Sequence, residues 1–308
     1  SFKVPASGVV DYQNPTVQNP LAEGRWLRAA TVKPSDRRAV HHLLSNGVGG
    51  YAVGAETTVF PKGTGTWVAP GQTFRFQMHY TPYGKESTET TRVGLYFYPK
   101  DAPPEIMRRS AVIANAGIEI PPGEARHKEV AYITFPEKAT LFTVFPHAHY
   151  RGESMAVSLL KPGSTKEELI VSLPKYDFNW QRDYDPVEPI LVHKGTKLIA
   201  TWVFDNSTNN KKLNAVNKDQ YGSPIASYND VVRTGEQSHQ EMMYFRINYR
   251  WADETVDNVR NDLQSQLMSS MQFGMIDDNY DGLIQENELK GMMASLKPRS
   301  IISSMLPL

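Results

Sequence analysis

Short runs in which apolar and polar residues alternate fill residues 1–250 of the chain. Examples are TFRFQMHY, RVGLYFY, AYITF, LFTVFPHAHY, KLIATWVF and MMYFRINY. A period of two predicts half-buried strands. The runs are separated by dense turn signals such as FPKGTG, APGQ, TPYGK, KDAPP, IPPGE and KPGS. Many short strands at this spacing predict a mainly β fold of sandwich or jelly-roll type. A stretch of this length is large for one sandwich, so two are expected, 1–116 and 117–252, joined near IANAGIEIPPG. After WADET the period changes. Leu263, Leu267 and Met271 recur at i, i+4 and i+8, which predicts helix. Residues 253–308 are therefore expected to form a small helical segment, two helices flanking DDNYDGLIQENE.

The same alternation sorts side chains by face. In EMMYFRINY, Glu241, Met243, Phe245, Ile247 and Tyr249 share a mostly apolar face, which is the core side. Met242, Tyr244, Arg246 and Asn248 share the polar side, expected to face a cleft. His147 and His149 in VFPHAHY leave one face together, a natural two-imidazole clamp on a strand. Its competing reading is two solvated histidines. A lone Met is usually core packing, which suits Met243, and Met242 is the better third ligand. His79 in FQMHYTP lies on the polar side with Arg75 and Gln77. The adjacent pair His41 and His42 would point to opposite faces of a regular strand. Both reach one metal only if the backbone bulges, twists or ends there, and then through Nδ1 of one and Nε2 of the other. The alternative is one core and two surface histidines held by ordinary hydrogen bonds. Five of the eight histidines fall in these three segments. Imidazoles with a thioether suit copper, Cu(I) in particular. Of the others, His127 and His193 read as surface residues, and His239, three positions before Met242, is placed to line the second set.

Composition removes other classes. Lys+Arg and Asp+Glu balance at 33 each, which gives no support for nucleic acid as a partner. No run of 18 apolar residues exists, so no membrane span is expected. The chain has no cysteine, which excludes disulfides, zinc–thiolate sites and a cysteine nucleophile. Thiol-free composition is compatible with an oxidising, copper-bearing compartment. SFKVPASGVV reads as the start of a mature chain rather than a signal peptide, and a secreted or periplasmic location is expected. G-x-S-x-G, the P-loop and H-E-x-x-H are all missing, leaving hydrolase and nucleotide readings without support.

DDNYDGLIQENE fits D-x-[DN]-x-[DN]-G-x5-E at every fixed position. The ligands expected for one Ca²⁺ are Asp277, Asn279 and Asp281 by side chain, Leu283 by carbonyl, Gln285 directly or through water, and Glu288 by both oxygens. Gly282 permits the sharp turn at the sixth position. Phe273 and Leu289 sit where the flanking helices of such an EF-hand-like unit bury apolar groups. A single loop of this kind needs a cover for its apolar helix face: the tail IISSMLPL, the β region or a second copy.

With VHHLL, QMHYTPYGKESTETTRVGLYF, IPPGE, FPHAHYRGESM, YDFNWQ, FDNS and EMM in one order, residues 1–250 resemble the ascorbate-dependent type II copper monooxygenases. This is the peptidylglycine α-hydroxylating and dopamine β-monooxygenase family, and the chain looks closest to its cysteine-free bacterial relatives. The resemblance implies two jelly-roll domains with one copper each, facing one another across a solvent-filled cleft. His41, His42 and His79 would hold the electron-transfer copper, and His147, His149 and Met242 the copper that activates O₂. It implies a C–H hydroxylase taking O₂, a small organic substrate and a reductant such as ascorbate. A copper-binding protein for storage, delivery or sensing on the same scaffold is the other reading. Phe145 stands where the peptide-amidating enzymes carry a carboxylate-gripping arginine, and Tyr244 and Arg246 replace further anchors. Amidation is therefore not the expected reaction. Phe145, Tyr150 and Tyr244 instead suggest an apolar or aromatic substrate.

Overall fold

The computed structural model describes residues 1–45, 48–211, 227–285 and 287–288. The described chain is mainly β, with several sheets and one α-helix among the described residues. In the N-terminal part, one sheet runs Thr16–Gln18, Thr73–Tyr80, Val40–Ser45, Tyr51–Ala52. A second runs Arg92–Phe97, Arg25–Lys33, Thr64–Val68, Ile106–Met107, and Thr57–Val59 also pairs with Arg25–Lys33. Val32 from the second sheet and Val40, Leu43, Met78 and Tyr80 from the first meet in one core.

In the C-terminal part the sheets are Arg109–Asn115, Met243–Trp251, Ala139–His147, Ile190–Val192, and His127–Thr134, Lys197–Phe204, Gly152–Leu160, Glu168–Leu173. Both contribute to one core, with Ile113, Phe245 and Ile247 on one side and Ile133, Val157, Ala200 and Trp202 on the other. Alternation accounts for this directly. Met243, Phe245, Ile247, Tyr249 and Trp251 are all buried, and each such side chain contributes about 1.5–3 kcal/mol on leaving water. A one-residue slip would expose the whole set.

Strand pairing changes hands ahead of the expected joint at 116/117. Ile106–Met107 still pairs with Thr64–Val68, whereas Arg109–Asn115 is hydrogen-bonded along its length to Met243–Trp251. Sheet membership therefore changes at Arg108, not at 116/117. The Pro-Gly signal at residues 121–123 belongs to a turn inside the second unit, where the Gly123 N–H donates to the Tyr228 carbonyl.

The helix in the described part of the segment from 253 packs on the second core. Helix Asn261–Gly274 buries Leu263 and Leu267 in the second core, with Met271 packed against it. Its last residue lies so close to strand His127–Thr134 that a Cβ on Gly274 would come 2.1 Å from the Tyr132 carbonyl oxygen. A buried ion pair anchors the approach: Arg109 Nε donates to Glu254 at 2.7 Å, and the Arg260 N–H donates to the same carboxylate. The β region thus covers the apolar helix face, one of the three covers considered above. Phe273 remains partly exposed. Leu289, most of the second expected helix and IISSMLPL lie outside the described residues. Among the described residues, no helix is long and apolar enough to cross a membrane.

Candidate metal centre

Strands Val40–Ser45 and Thr73–Tyr80 bring the first three histidines together. His42 is the register partner of His79, and the pairing shifts between Val40 and His42. His41 occupies that bulge, so it turns to the same side as its neighbour. One ring nitrogen from each of His41, His42 and His79 falls within 4.8 Å of the others. His41 Nε2 donates to Asn179 Oδ1 at 3.1 Å, so its lone pair is on Nδ1. That atom lies 3.1 Å from His42 Nδ1, and His42 Nε2 is buried without a hydrogen-bond partner. The Asn179 amide is itself oriented by donating to Asp177.

His147 ends strand Ala139–His147, and His149 follows beyond it. Their rings are 5.1 Å apart and fully buried. Ala148 between them points into the core. The turn after them is fixed from several sides. Trp202 Nε1 donates to the His147 carbonyl, and Tyr176 Oη donates to the Ala148 carbonyl at 2.8 Å. Buried Glu241 accepts the N–H groups of His149 at 2.9 Å and Arg151 at 2.6 Å. Gly152 is required here, because a Cβ would come 2.7 Å from the Tyr176 ring and 3.0 Å from Ala148 Cβ. His147 Nδ1 donates to Gln181 Oε1 at 2.7 Å, and His149 Nδ1 donates to the Gln240 carbonyl at 3.3 Å. Gln181 is locked by its own bond to the Phe178 carbonyl. Both imidazoles therefore carry their free lone pair on Nε2.

Met242 precedes strand Met243–Trp251. Its neighbour Glu241 holds the His149 backbone, and Tyr244, two residues on, is the register partner of His147. Met243 is buried in the core, while half-buried Met242 lines a cavity of about 920 Å³ with Tyr244, Arg246 and Asn248. These four are the residues that alternation set on the polar face.

The two histidine sets are not held apart by solvent. The rings of His42 and His147 are 5.8 Å apart. Tyr12 packs against His42, His79 and His149 at 5.7, 4.7 and 5.9 Å. Phe178 stacks on His41 at 4.9 Å and also touches His79 and His149. The resemblance led to an expectation of a solvent-filled cleft. Five imidazoles and two further rings instead form one buried cluster between the two units.

Within that cluster, His42 Nε2, His79 Nδ1, His147 Nε2 and His149 Nε2 are buried without a hydrogen-bond partner. Each orphaned polar atom costs about 1–3 kcal/mol, and four in one place are not sustained by hydrogen bonding. Burial holds His42, His79 and His149 far below the usual imidazole range and lowers His147 to about 4. The rings are thus neutral, the form that binds metal. The donor set fits one in which cations take up the free lone pairs.

Glu241 was visible in the sequence as a carboxylate on an apolar face, but its role was not. Burial pushes it up to about 7, opposed by the backbone N–H groups it accepts and by the Arg151 guanidinium. Arg151 in turn donates to Asn206 and to the His239 carbonyl. His239 thus contributes through its backbone. His127 faces Glu129 at 2.8 Å, half-buried and away from the cluster.

The acidic loop is built differently. Asp277 is fully buried and accepts the N–H groups of Asp281 and Gly282 together with the Tyr132 hydroxyl. Asn279 Oδ1 accepts from the Asp281 N–H, and Asp281 Oδ1 from the Leu283 N–H. Glu288 accepts the N–H groups of Asp278 and Gln285. Gln285 exchanges amide hydrogen bonds with Asn279 and Asp281. Gly282 adopts φ +90°, as the turn requires. Lys197 donates to the Tyr280 carbonyl and Tyr280 Oη to Glu167, which ties the loop to the second unit. The six predicted positions share one loop, with their carboxylates already engaged. No protein-family model matches this chain, and no curated protein matches it.

Proposed function

We propose that the chain is a dicopper monooxygenase that hydroxylates a C–H bond of a small organic substrate. One copper would be held by His41, His42 and His79 and the other by His147, His149 and Met242, on a pair of jelly-roll domains in a secreted or periplasmic protein. The observation that carries this reading is the set of four orphaned, neutral, buried ring nitrogens in two groups that touch. A thioether ligand in one group only would make the groups chemically unequal, and soft, nitrogen-rich donors favour Cu(I). Copper bound there would supply one-electron transfer and O₂ reduction. The balance is one oxygen atom inserted into C–H and the other released as water, with two electrons and two protons from a reductant such as ascorbate.

The chain's own residues have distinct tasks in this reading. Gln181 and the Gln240 carbonyl fix which nitrogen of each clamp histidine is free, and Glu241 holds the turn that carries both. Tyr12 and Phe178 exclude water between the groups. Met242 and Tyr244 border the cavity in which substrate would sit. We also read the Asp277–Glu288 loop as an EF-hand-like Ca²⁺ site that stabilises the fold by linkage.

The test is copper loading followed by ascorbate and a panel of aromatic and aliphatic substrates in an oxygen electrode. The expected result is two tightly held copper ions and substrate-dependent oxygen uptake that Met242→Ala abolishes. Two copper ions with no substrate-dependent uptake would favour the storage or delivery reading. Uptake unchanged in Met242→Ala would sink the assignment of the oxygen site.

A further inference from the structure

We infer that the cavity beside Met242 is an anion-recognising subsite in which the Arg108 guanidinium grips a carboxylate on the ligand's far end. The inference deepens the oxygenase reading by naming a substrate class, and it rests on that reading only in calling the ligand a substrate. Arg108 sits where sheet membership passes from the first unit to the second. It is 7% exposed, and its Nε is buried without a partner. Among the described residues, its only side-chain interaction at contact range is with the face of Phe60, 4.1 Å from the ring centroid. A buried guanidinium N–H that meets no acceptor is costly. Burial and the neighbouring Arg246 lower it to about 9, while Asp183 and Asp185 oppose that shift from a distance. Asp183 is itself paired with Arg246 and does not hydrogen-bond Arg108. Arg108 borders the same cavity of about 920 Å³ as Met242.

The strands explain the placement. Arg108, Ser110 and Val112 alternate along one strand, Met242, Tyr244, Arg246 and Asn248 along its antiparallel partner, and all seven line the cavity. Phe60 and Phe76 of the first unit face them. Arg109 pairs with Tyr249, seven residues from Met242, so the Arg108 end of the cavity lies about 23 Å along the strand from Met242. A ligand gripped by Arg108 would carry its charge at that end and extend an apolar body along the cavity toward Met242. The planar fork of arginine binds a carboxylate through two parallel hydrogen bonds. Glu236 and Arg75 also line the cavity; Glu236 accepts from Asn14 at 3.2 Å.

The experiment is calorimetric titration of the full, copper-free chain with 3-phenylpropionate and with its uncharged amide, 3-phenylpropanamide. The carboxylate is expected to bind at least tenfold more tightly than the amide. Arg108→Met should erase that preference while leaving amide affinity within twofold, and Arg108→Lys should keep part of it. A merely structural role for Arg108 on Phe60 would lower the melting temperature and leave the carboxylate-to-amide ratio unchanged, which would overturn the proposal. So would equal affinity for the two probes in the parent chain, or binding of neither at 10 mM. If Arg108→Met does not fold, the Arg108→Lys ratio decides alone. Failure here with copper-dependent oxygen uptake intact removes only the subsite. Success without tight copper removes the oxygenase reading and leaves the subsite standing.

Discussion

The imidazole cluster and the acidic loop are both dense in metal-binding atoms, yet they hold those atoms in opposite states. In the cluster, four ring nitrogens are buried with nothing to bond to. In the loop, Asp277, Asp281 and Glu288 each accept from backbone N–H groups, and Asp277 also takes the Tyr132 hydroxyl. The first arrangement leaves lone pairs free to take a cation. The second is complete and would have to exchange some of its hydrogen bonds for one. A matching motif therefore says less about occupancy than the state of its lone pairs does. The cluster, with no consensus pattern of its own, makes the stronger physical case for a metal.

Acidification should separate the two regions most. The cluster histidines are depressed when folded, His147 from about 6.5 to about 4. Their contribution is complete above the unfolded pKa and is lost as pH falls toward the folded one. For His147 alone this amounts to about 3 kcal/mol. Glu241, raised to about 7, acts in the opposite direction over roughly the same range and offsets about as much as His147 contributes, so the net slope comes from His42, His79 and His149. Urea midpoints of the copper-free protein should therefore drop between pH 7 and pH 4.5. A flat profile would mean the rings are not buried neutral.

Calcium addresses the other region. If the loop exchanges its internal hydrogen bonds for a cation, saturating Ca²⁺ raises stability by about 2.7 kcal/mol at a hundred times its dissociation constant. The rise would appear as an upward shift of the melting temperature, while Mg²⁺ at the same concentration does less. No shift with millimolar Ca²⁺ would show that the loop's hydrogen bonds are its final state. The finest division lies inside the cluster. Gln181→Met frees His147 Nδ1 and should weaken copper at the His147–His149 group about 10- to 100-fold. The His41–His42–His79 group should be unaffected, as read by competition with a Cu(I) chelator. Equal weakening of both groups would mean that they act as one site.

Much of this was legible in the chain. Alternation separated Met242 from Met243 and predicted the cavity face, and adjacent histidines demanded the bulge found at His41. The helix over Leu263 and Leu267 followed from its period. Contacts between distant segments were not legible. Nothing near Tyr12 or Phe178 in the chain announces that their rings join the two histidine groups, because that proximity is set by how the units meet. The lone pair on His41 Nδ1 depended on Asn179, 138 positions away. The early change of strand pairing at Arg108 was hidden because a Pro-Gly turn imitates a boundary, whereas the change of sheet partner itself carries no punctuation.

Gly274 seated on the Tyr132 backbone and the leucines beneath that helix have a practical outcome. Trimming the protein after residue 252 to isolate its β portion would uncover Leu263's and Leu267's seats and leave Arg109 charged and unmatched inside. Such a truncate should aggregate or misfold, and attempts to map activity by deletion would wrongly credit the missing tail with chemistry that it merely shelters.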